Sequence, residues 1–403
     1  MKYIFNLFVF ILLFVQTVIG QDVVSIDPER TSRGTLTLSD IIESIEYIPL
    51  ETNNNCLIGD IIDNRRVLLS ENYILVGCYT SGSYFLFSRT GKFIAKIGSK
   101  GQGPGEYLSV SSPFAIDEKN QQIILKSSIM GSYELMYHNM NGKYLHKVPV
   151  DRRLFNFHNI SFYDKYVVMN ANDPDPNPNN RSGPPFDYSI FSGDYKLITE
   201  KIKKIDFISK QSTRIILFGI SFCYYLYNEQ LYVKHNGLND TIYSINKNFD
   251  FLPKYAINFG RYSFTRQIVS NTDLFMRERN NRAWLQSVFE TDNYLLISYD
   301  YKKKHFYLYY DKKQHRSLLF NSDSGIPNDY DGGLNFWPKQ QNGNEFITWY
   351  NSYLFEENEN KLKPKGPKKA IENFEKITQE IIDFQDKNST EANPVLVIVK
   401  LKQ

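Results

Sequence analysis

The chain has 403 residues, of which 42% are hydrophobic and 15% aromatic, and its 47 Lys and Arg against 44 Asp and Glu leave a formal charge of +3. Such a composition can fill a large apolar core and excludes a disordered chain. A balance this close to neutral gives no reason to expect nucleic acid or an acidic membrane surface as partner.

The first segment, residues 1–20, reads as a signal peptide. Lys2 precedes an apolar stretch from Ile4 to Val15, and Val18-Ile19-Gly20 stand before a cut ahead of Gln21. A retained membrane anchor is the competing reading. It is disfavoured because the apolar run is short for a bilayer and no stop-transfer charges follow it. No Cys stands at the cut, so the expected product is periplasmic or secreted, is not a lipoprotein, and keeps no transmembrane segment.

Beyond a strand-like Glu46-Tyr47-Ile48-Pro49-Leu50, an apolar run recurs. It appears as Tyr73–Val76, Gln122–Leu125, Tyr166–Met169, Leu231–Val233, Tyr294–Ile297 and Phe346–Trp349, about 55 residues apart on average. Each run is read as the first strand of a unit. After the first five come aromatic segments and turns: Tyr84–Phe87 with Thr90-Gly91-Lys92, Tyr133–Met136 with Asn141-Gly142-Lys143, Tyr188–Phe191, Thr241–Ser244 and Phe306–Tyr309. Asn-Gly between apolar runs favours a tight hairpin, because both central residues take positive φ. Connections this short cannot hold crossover helices, which excludes a parallel α/β sheet.

A unit that cannot cover its own apolar face stacks on copies of itself. The expected fold is therefore all-β, a six-bladed β-propeller of four-stranded antiparallel blades, with 21–403 as one domain. The C-terminal Val395–Val399 is expected to pair with the N-terminal strand and close the sixth blade, which removes exposed edges. Ile371, Phe374, Ile377, Ile381 and Phe384 make one helical stripe, a helical insertion over about 368–386. Five lysines from Lys361 to Lys369, alternating with Pro364, Gly366 and Pro367, read as a solvated linker before it, with an anion-binding patch as the alternative. A second short helix is expected over Asp273–Arg279, capped by Ser270 or Thr272.

Cys56, Cys78 and Cys223 are too few and scattered for a disulfide framework or a zinc site. A Cys56–Cys78 bridge and buried free thiols both remain open.

Phe93-Ile94-Ala95-Lys96-Ile97-Gly98-Ser99-Lys100-Gly101-Gln102-Gly103-Pro104-Gly105-Glu106-Tyr107 resembles the blade junction of NHL-type repeats. Leu36–Leu50, Asp331–Pro338 and Asn393–Val397 also look like the secreted six-bladed propellers of Bacteroidetes. That resemblance implies the fold and export, and it brings no catalytic residues. Read as a phosphate loop, the glycine run fails. It lacks the Gly-Lys-Ser/Thr ending, and Pro104 removes a needed N–H.

Two loops are candidates for ligand contact. Asp173 and Asp175 lie in a proline-stiffened stretch where carboxylates can face a sugar or an ion, and a solvated blade connection is the other reading. Asp329 and Asp331, followed by Phe336 and Trp337, combine half of a calcium loop with two rings able to stack on a sugar or pack in the core. No Glu completes that loop, so no cofactor is expected and calcium is the only ion suggested. His235, after a strand and before Asn236, is the one histidine singled out. No Gly-x-Ser-x-Gly or His-Glu-x-x-His motif occurs.

The favoured reading is an exported, non-catalytic and monomeric scaffold binding a glycan, peptide or envelope protein through its loop-bearing face. The alternative is a lactonase-like, metal-dependent hydrolase or lyase, which would need acidic or His side chains from several blades converging in a central channel.

Overall fold

The computed structural model describes residues 21–58, 67–108, 110, 115–129, 132–150, 157–163, 166–171, 186–203, 224–234, 240–269, 271–362, 368–385 and 392–402. The expected signal peptide 1–20, Asp173, Asp175, Cys223 and His235 lie outside them.

The chain is all-β and propeller-like. It opens with β1 (Asp22–Ser25), the single-turn helix α1 (Leu38–Ile41) and β2 (Ile42–Pro49). A first meander follows as β3 (Val67–Leu69), β4 (Tyr73–Cys78), β5 (Ser83–Ser88) and β6 (Phe93–Ile97). A short parallel pair, β7 (Ser99–Lys100) and β8 (Glu106–Tyr107), leads to the second, β9 (Ala115–Asp117), β10 (Gln122–Ile129), β11 (Ser132–Asn139) and β12 (Tyr144–Pro149). The third runs β13 (Phe157–Tyr163), β14 (Tyr166–Ala171), β15 (Phe186–Ser192) and β16 (Leu197–Lys203), and the fourth β17 (Tyr224–Tyr227), β18 (Gln230–Lys234), β19 (Thr241–Ile245) and β20 (Phe251–Asn258). After helices α2 (Arg266–Val269) and α3 (Thr272–Glu278) comes the fifth, β21 (Trp284–Glu290), β22 (Tyr294–Tyr301), β23 (Lys304–Asp311) and β24 (Arg316–Leu319). The last strands are β25 (Gln340–Asn342), β26 (Glu345–Tyr350) and β27 (Val395–Leu401), with helices α4 (Tyr353–Leu362) and α5 (Lys368–Gln385) between β26 and β27.

Four of these meanders are separate four-stranded antiparallel sheets, where six were expected. The remaining strands form one nine-stranded sheet in the order β1-β20-β19-β18-β17-β25-β26-β27-β2. It arises because β17 meets β25 in parallel at a single register position, Leu226 with Asn342, while β1 adds to the outer side of β20. A second correction concerns strand order. The recurring apolar runs lie in β4, β10, β14, β18, β22 and β26, which are second strands. Four of their first strands have only three or four residues, and Gln340–Asn342 carries no apolar residue, so periodicity alone does not expose them.

The two ends of the chain meet in one sheet, where β2 pairs with β27 over Ile42–Pro49. Asn393 locks that meeting from a fully buried position. Its Nδ2 donates to the carbonyls of Glu51 (2.7 Å) and Cys56 (2.6 Å), and its Oδ1 accepts from the Ile58 N–H at 2.8 Å. Its backbone N–H donates to Thr52 Oγ1, and its carbonyl accepts from Ser352 and Gln385. In α5, Phe374 and Ile381 are buried with Phe355 of α4, so the insertion packs on the sheet through its apolar stripe. The cap of α3 is Asn271, whose side chain accepts from the Leu274 N–H, not Ser270 or Thr272. Cys56 and Cys78 are both buried free thiols; their sulfurs donate to the carbonyls of Glu51 and Ile58.

Candidate functional site

Strand direction sorts the connections. In every meander the turns between first and second and between third and fourth strands lie at one end. Those turns are short, for example Ser70–Asn72, Asn228–Glu229 and Thr291–Asn293. The other end takes the turns between second and third strands and every link to the next meander. It therefore carries the Gly98–Glu106 run, the α2–α3 insertion and the α4–α5 insertion. This loop-bearing end is the candidate site, and exposed side chains stand on it: Tyr79 at 71% exposure, Met276 at 53% and Leu108 at 44%.

At the tight-turn end the inner strands converge on a buried carboxylate. Glu290, at the end of β21, accepts from Tyr255 OH at 2.5 Å, Tyr225 OH at 3.0 Å and Lys312 Nζ at 2.6 Å. Its backbone N–H and C=O are taken by the side-chain amide of Gln341, at 2.9 and 2.6 Å. Tyr227 donates to Asp292 beside them. Burial and the Glu290 charge push the Tyr255 hydroxyl far above its ordinary value. This donor set neutralises Glu290 and ties three inner strands together, and it leaves the carboxylate bonded to neighbours from both sheets.

The loop predicted to meet a ligand is bonded into the fold. Asp329 accepts from the Ser39 N–H (3.0 Å), Ser39 Oγ (2.7 Å) and Thr37 Oγ1 (2.9 Å) at the start of α1, and these bonds hold its carboxyl below the usual range against some burial. Asp331 is buried and accepts from Tyr47 OH at 2.8 Å, Asn328 Nδ2 at 2.7 Å and the Gly333 N–H at 2.9 Å. Phe336 is buried in the main core, and its backbone bridges to Ile326. Trp337 is half-buried, packed on Tyr307 with ring centroids 4.7 Å apart, and its Nε1 donates to Ser287 Oγ. Asp329 and Asp331 thus clasp the link from β24 to β25 onto the N-terminal segment, while Phe336 closes on Ile326 of the same link and Trp337 packs against the fifth meander.

The glycine run is likewise self-contained. Glu106 Oε2 accepts the Gly103 N–H at 2.7 Å, so the run closes on its own carboxylate, where a phosphate cradle would leave such donors free. Among the described residues no three His, Cys, Asp or Glu side chains stand close enough to hold a metal ion, and no helix is long and apolar enough to cross a membrane.

Sequence reasoning missed two buried lysines. Lys126 and Lys234 are each the first polar residue after the apolar triad of a second strand, Ile123-Ile124-Leu125 and Leu231-Tyr232-Val233. Burial lowers Lys126 to about 7. Lys234 Nζ lies 3.1 Å from Asp240 Oδ1 and donates to the Leu285 carbonyl, and burial raises the Asp240 carboxyl against that ion pair. Their shared place in the repeat was the available signal.

A family model described as a domain of unknown function, DUF4934, matches residues 22–400. The chain belongs to the DUF4934 family. No curated protein matches this DUF4934 sequence. A solved structure of a protein from Bacteroides fragilis NCTC 9343, assigned as exported, is similar over 94% of this chain and 100% of its own, with TM-score 0.64 and 16% identity. A DUF4221 family member from Bacteroides vulgatus ATCC 8482 is similar over 90% of this chain and 97% of its own, with TM-score 0.47 and 10% identity. The first likeness supports the fold of the DUF4934 chain and says nothing of its chemistry.

Proposed function

We propose that this DUF4934 chain is an exported, six-bladed, non-catalytic scaffold that binds a glycan, peptide or envelope protein on its loop-bearing end. The observation that carries the reading is the segregation of links and helical insertions to one end, with tight turns at the other. Loops held on a rigid ring are where binding residues gather.

The blade count rests on the nine-stranded sheet. Its halves, β17–β20 and β25–β26–β27–β2, are each four-stranded meanders joined at one bridge, so with the four separate sheets they make six. Two like contacts support this: the turn glycine Gly91 packs on the Pro49 carbonyl of β2, as Gly142 packs on the Lys96 carbonyl of β6. Export rests on the Lys2–Gly20 pattern and on the exported assignment of the Bacteroides fragilis neighbour.

The test is calorimetric titration of the purified protein with soluble glycans and peptides, repeated on a Tyr79→Ala, Met276→Ala variant. Binding that the variant weakens supports the reading. Turnover of a bound glycan, or binding that maps to the tight-turn end, would sink it.

A further inference from the structure

The geometry points to an acidic polysaccharide as the ligand class of this loop-bearing end, held at the fifth meander by a cationic platform of Arg261, Arg277, Arg279, Lys302, Lys303 and Lys304. This rests on the binding reading above and narrows it.

The platform is assembled from two segments far apart in sequence. Residues 260–282, which hold the α2–α3 insertion, contain five Arg against two carboxylates. The β22–β23 turn adds three consecutive lysines. The two are joined: the Lys302 N–H donates to the Asn280 carbonyl at 3.0 Å, and Tyr262 packs edge-on against Tyr301 with centroids 5.4 Å apart. All six named cations are exposed. Glu278 is paired with Arg282, Asp273 is the other carboxylate of the insertion, and from the N-terminal segment Glu29 pairs with Lys302 and, with Asp27, faces Arg261. A chain whose whole formal charge is +3 thus collects a larger local excess here.

Backbone conformation gives an independent reason. Lys302 and Lys303 are the two central residues of a two-residue hairpin turn, with φ of 50° and 61°. That turn favours Asn and Gly, so two lysines in the left-handed region cost stability. The Lys302 ammonium offsets part of that cost by pairing with Glu29, and the exposed Lys303 adds its charge at the tip.

Three features favour a sugar acid over a lipid surface. The arginines present planar forks that bind carboxylate or sulfate bidentately. Half-buried Phe264 and Trp284, 5.0 Å apart and clustered with buried Phe275, border the insertion and put aromatic surface beside the cations. Among the described residues Met276 is the only large apolar side chain exposed in this insertion, too little to enter a bilayer.

The experiment compares retention of the purified protein on immobilised polygalacturonate, on neutral dextran and on phosphatidylglycerol vesicles, across a salt series. The expected result is salt-sensitive binding to polygalacturonate alone. Lys302→Asn with Lys303→Gly keeps the turn and, with Lys304→Gln, should weaken binding roughly tenfold with the thermal midpoint held or raised. Arg277→Gln with Arg279→Gln should act in the same direction. No retention on polygalacturonate, retention that neither variant changes, or equal retention on the vesicles overturns the inference. Binding to dextran instead, lost in Tyr79→Ala, overturns the acidic class while the scaffold reading stands.

Discussion

Gly91 packs its α-carbon against the carbonyl of Pro49, so the turn between β5 and β6 sits on the outer strand β2 with no room for a methyl group. Its φ is 81°, and its carbonyl accepts the Glu51 N–H at 2.8 Å. Two requirements thus fall on one residue: a left-handed backbone and close approach to another strand. Gly91→Ala should cost about 3 kcal/mol. Gly260 has φ 57° and faces open space where a methyl group would stand, so Gly260→Ala should cost only about 1 kcal/mol. Urea denaturation of the two variants separates clash from conformation. Equal losses would refute the contact.

That contact also marks how much of the fold was legible. Gly91-Lys92-Phe93 and Gly142-Lys143-Tyr144 announced turns between apolar strands, because glycine there is demanded by φ. The second and third strands were plain because their burial is nearly continuous, as in Tyr73–Cys78 and Ser83–Ser88. The shortest first strands were invisible. Gln340–Asn342 is held by side-chain amides, Gln340 to the Val67 carbonyl and Gln341 to Glu290, and such bonds leave no hydrophobic period. Of the candidate site, Asp329 and Asp331 looked free because sequence does not reveal that Ser39 and Tyr47, roughly 290 positions away, would satisfy them.

Glu290 and Lys312 make a buried pair whose halves are unequal to lose. Lys312→Met strips the cation and leaves a carboxylate on two tyrosine donors. The expected cost is about 3 kcal/mol. Glu290→Gln keeps one acceptor oxygen, at the position that serves Tyr255 and Lys312, and turns its amide NH2 toward the Tyr225 hydroxyl, which can accept, so it should cost less. Because the residues share one network, the double variant should lose clearly less than the sum of the single losses. Thermal denaturation of the four proteins completes the cycle, and strict additivity would contradict the geometry.

Asn393 joins residues 50–58 to the start of β27 through both ends of its amide. Asn393→Leu has similar volume, takes the amide partner from the Cys56 carbonyl and the Ile58 N–H, and leaves the Glu51 carbonyl with only the Cys56 thiol. A loss of about 3 kcal/mol is expected. Asn393→Asp restores the acceptor for Ile58 but confronts two carbonyls with a carboxylate, so it should not rescue. The readout is hydrogen exchange at Ile58 and along β27. Protection there equal to that of the unaltered protein would exclude a closing role.

Lys126 sets a pH dependence with a definite sign. Burial lowers its folded value to about 7, against an ordinary 10.5 in the unfolded chain. Below about 7 both states carry the proton, and the folded state bears the full cost of a buried charge. Between about 7 and 10.5 the unfolded chain binds the proton and the folded chain has released it, so stability from this group rises with pH across that window. The full span is on the order of 5 kcal/mol. Lys339, lowered to about 8 by burial, donates to the Trp349 carbonyl and acts in the same direction over a narrower window. Lys126→Met should raise stability most at pH 6 to 7 and flatten the rise toward pH 9, and Lys339→Met should flatten it less. Urea midpoints at pH 6, 7, 8 and 9 provide the measurement. A Lys126→Met curve parallel to that of the unaltered protein would mean the ammonium reaches solvent.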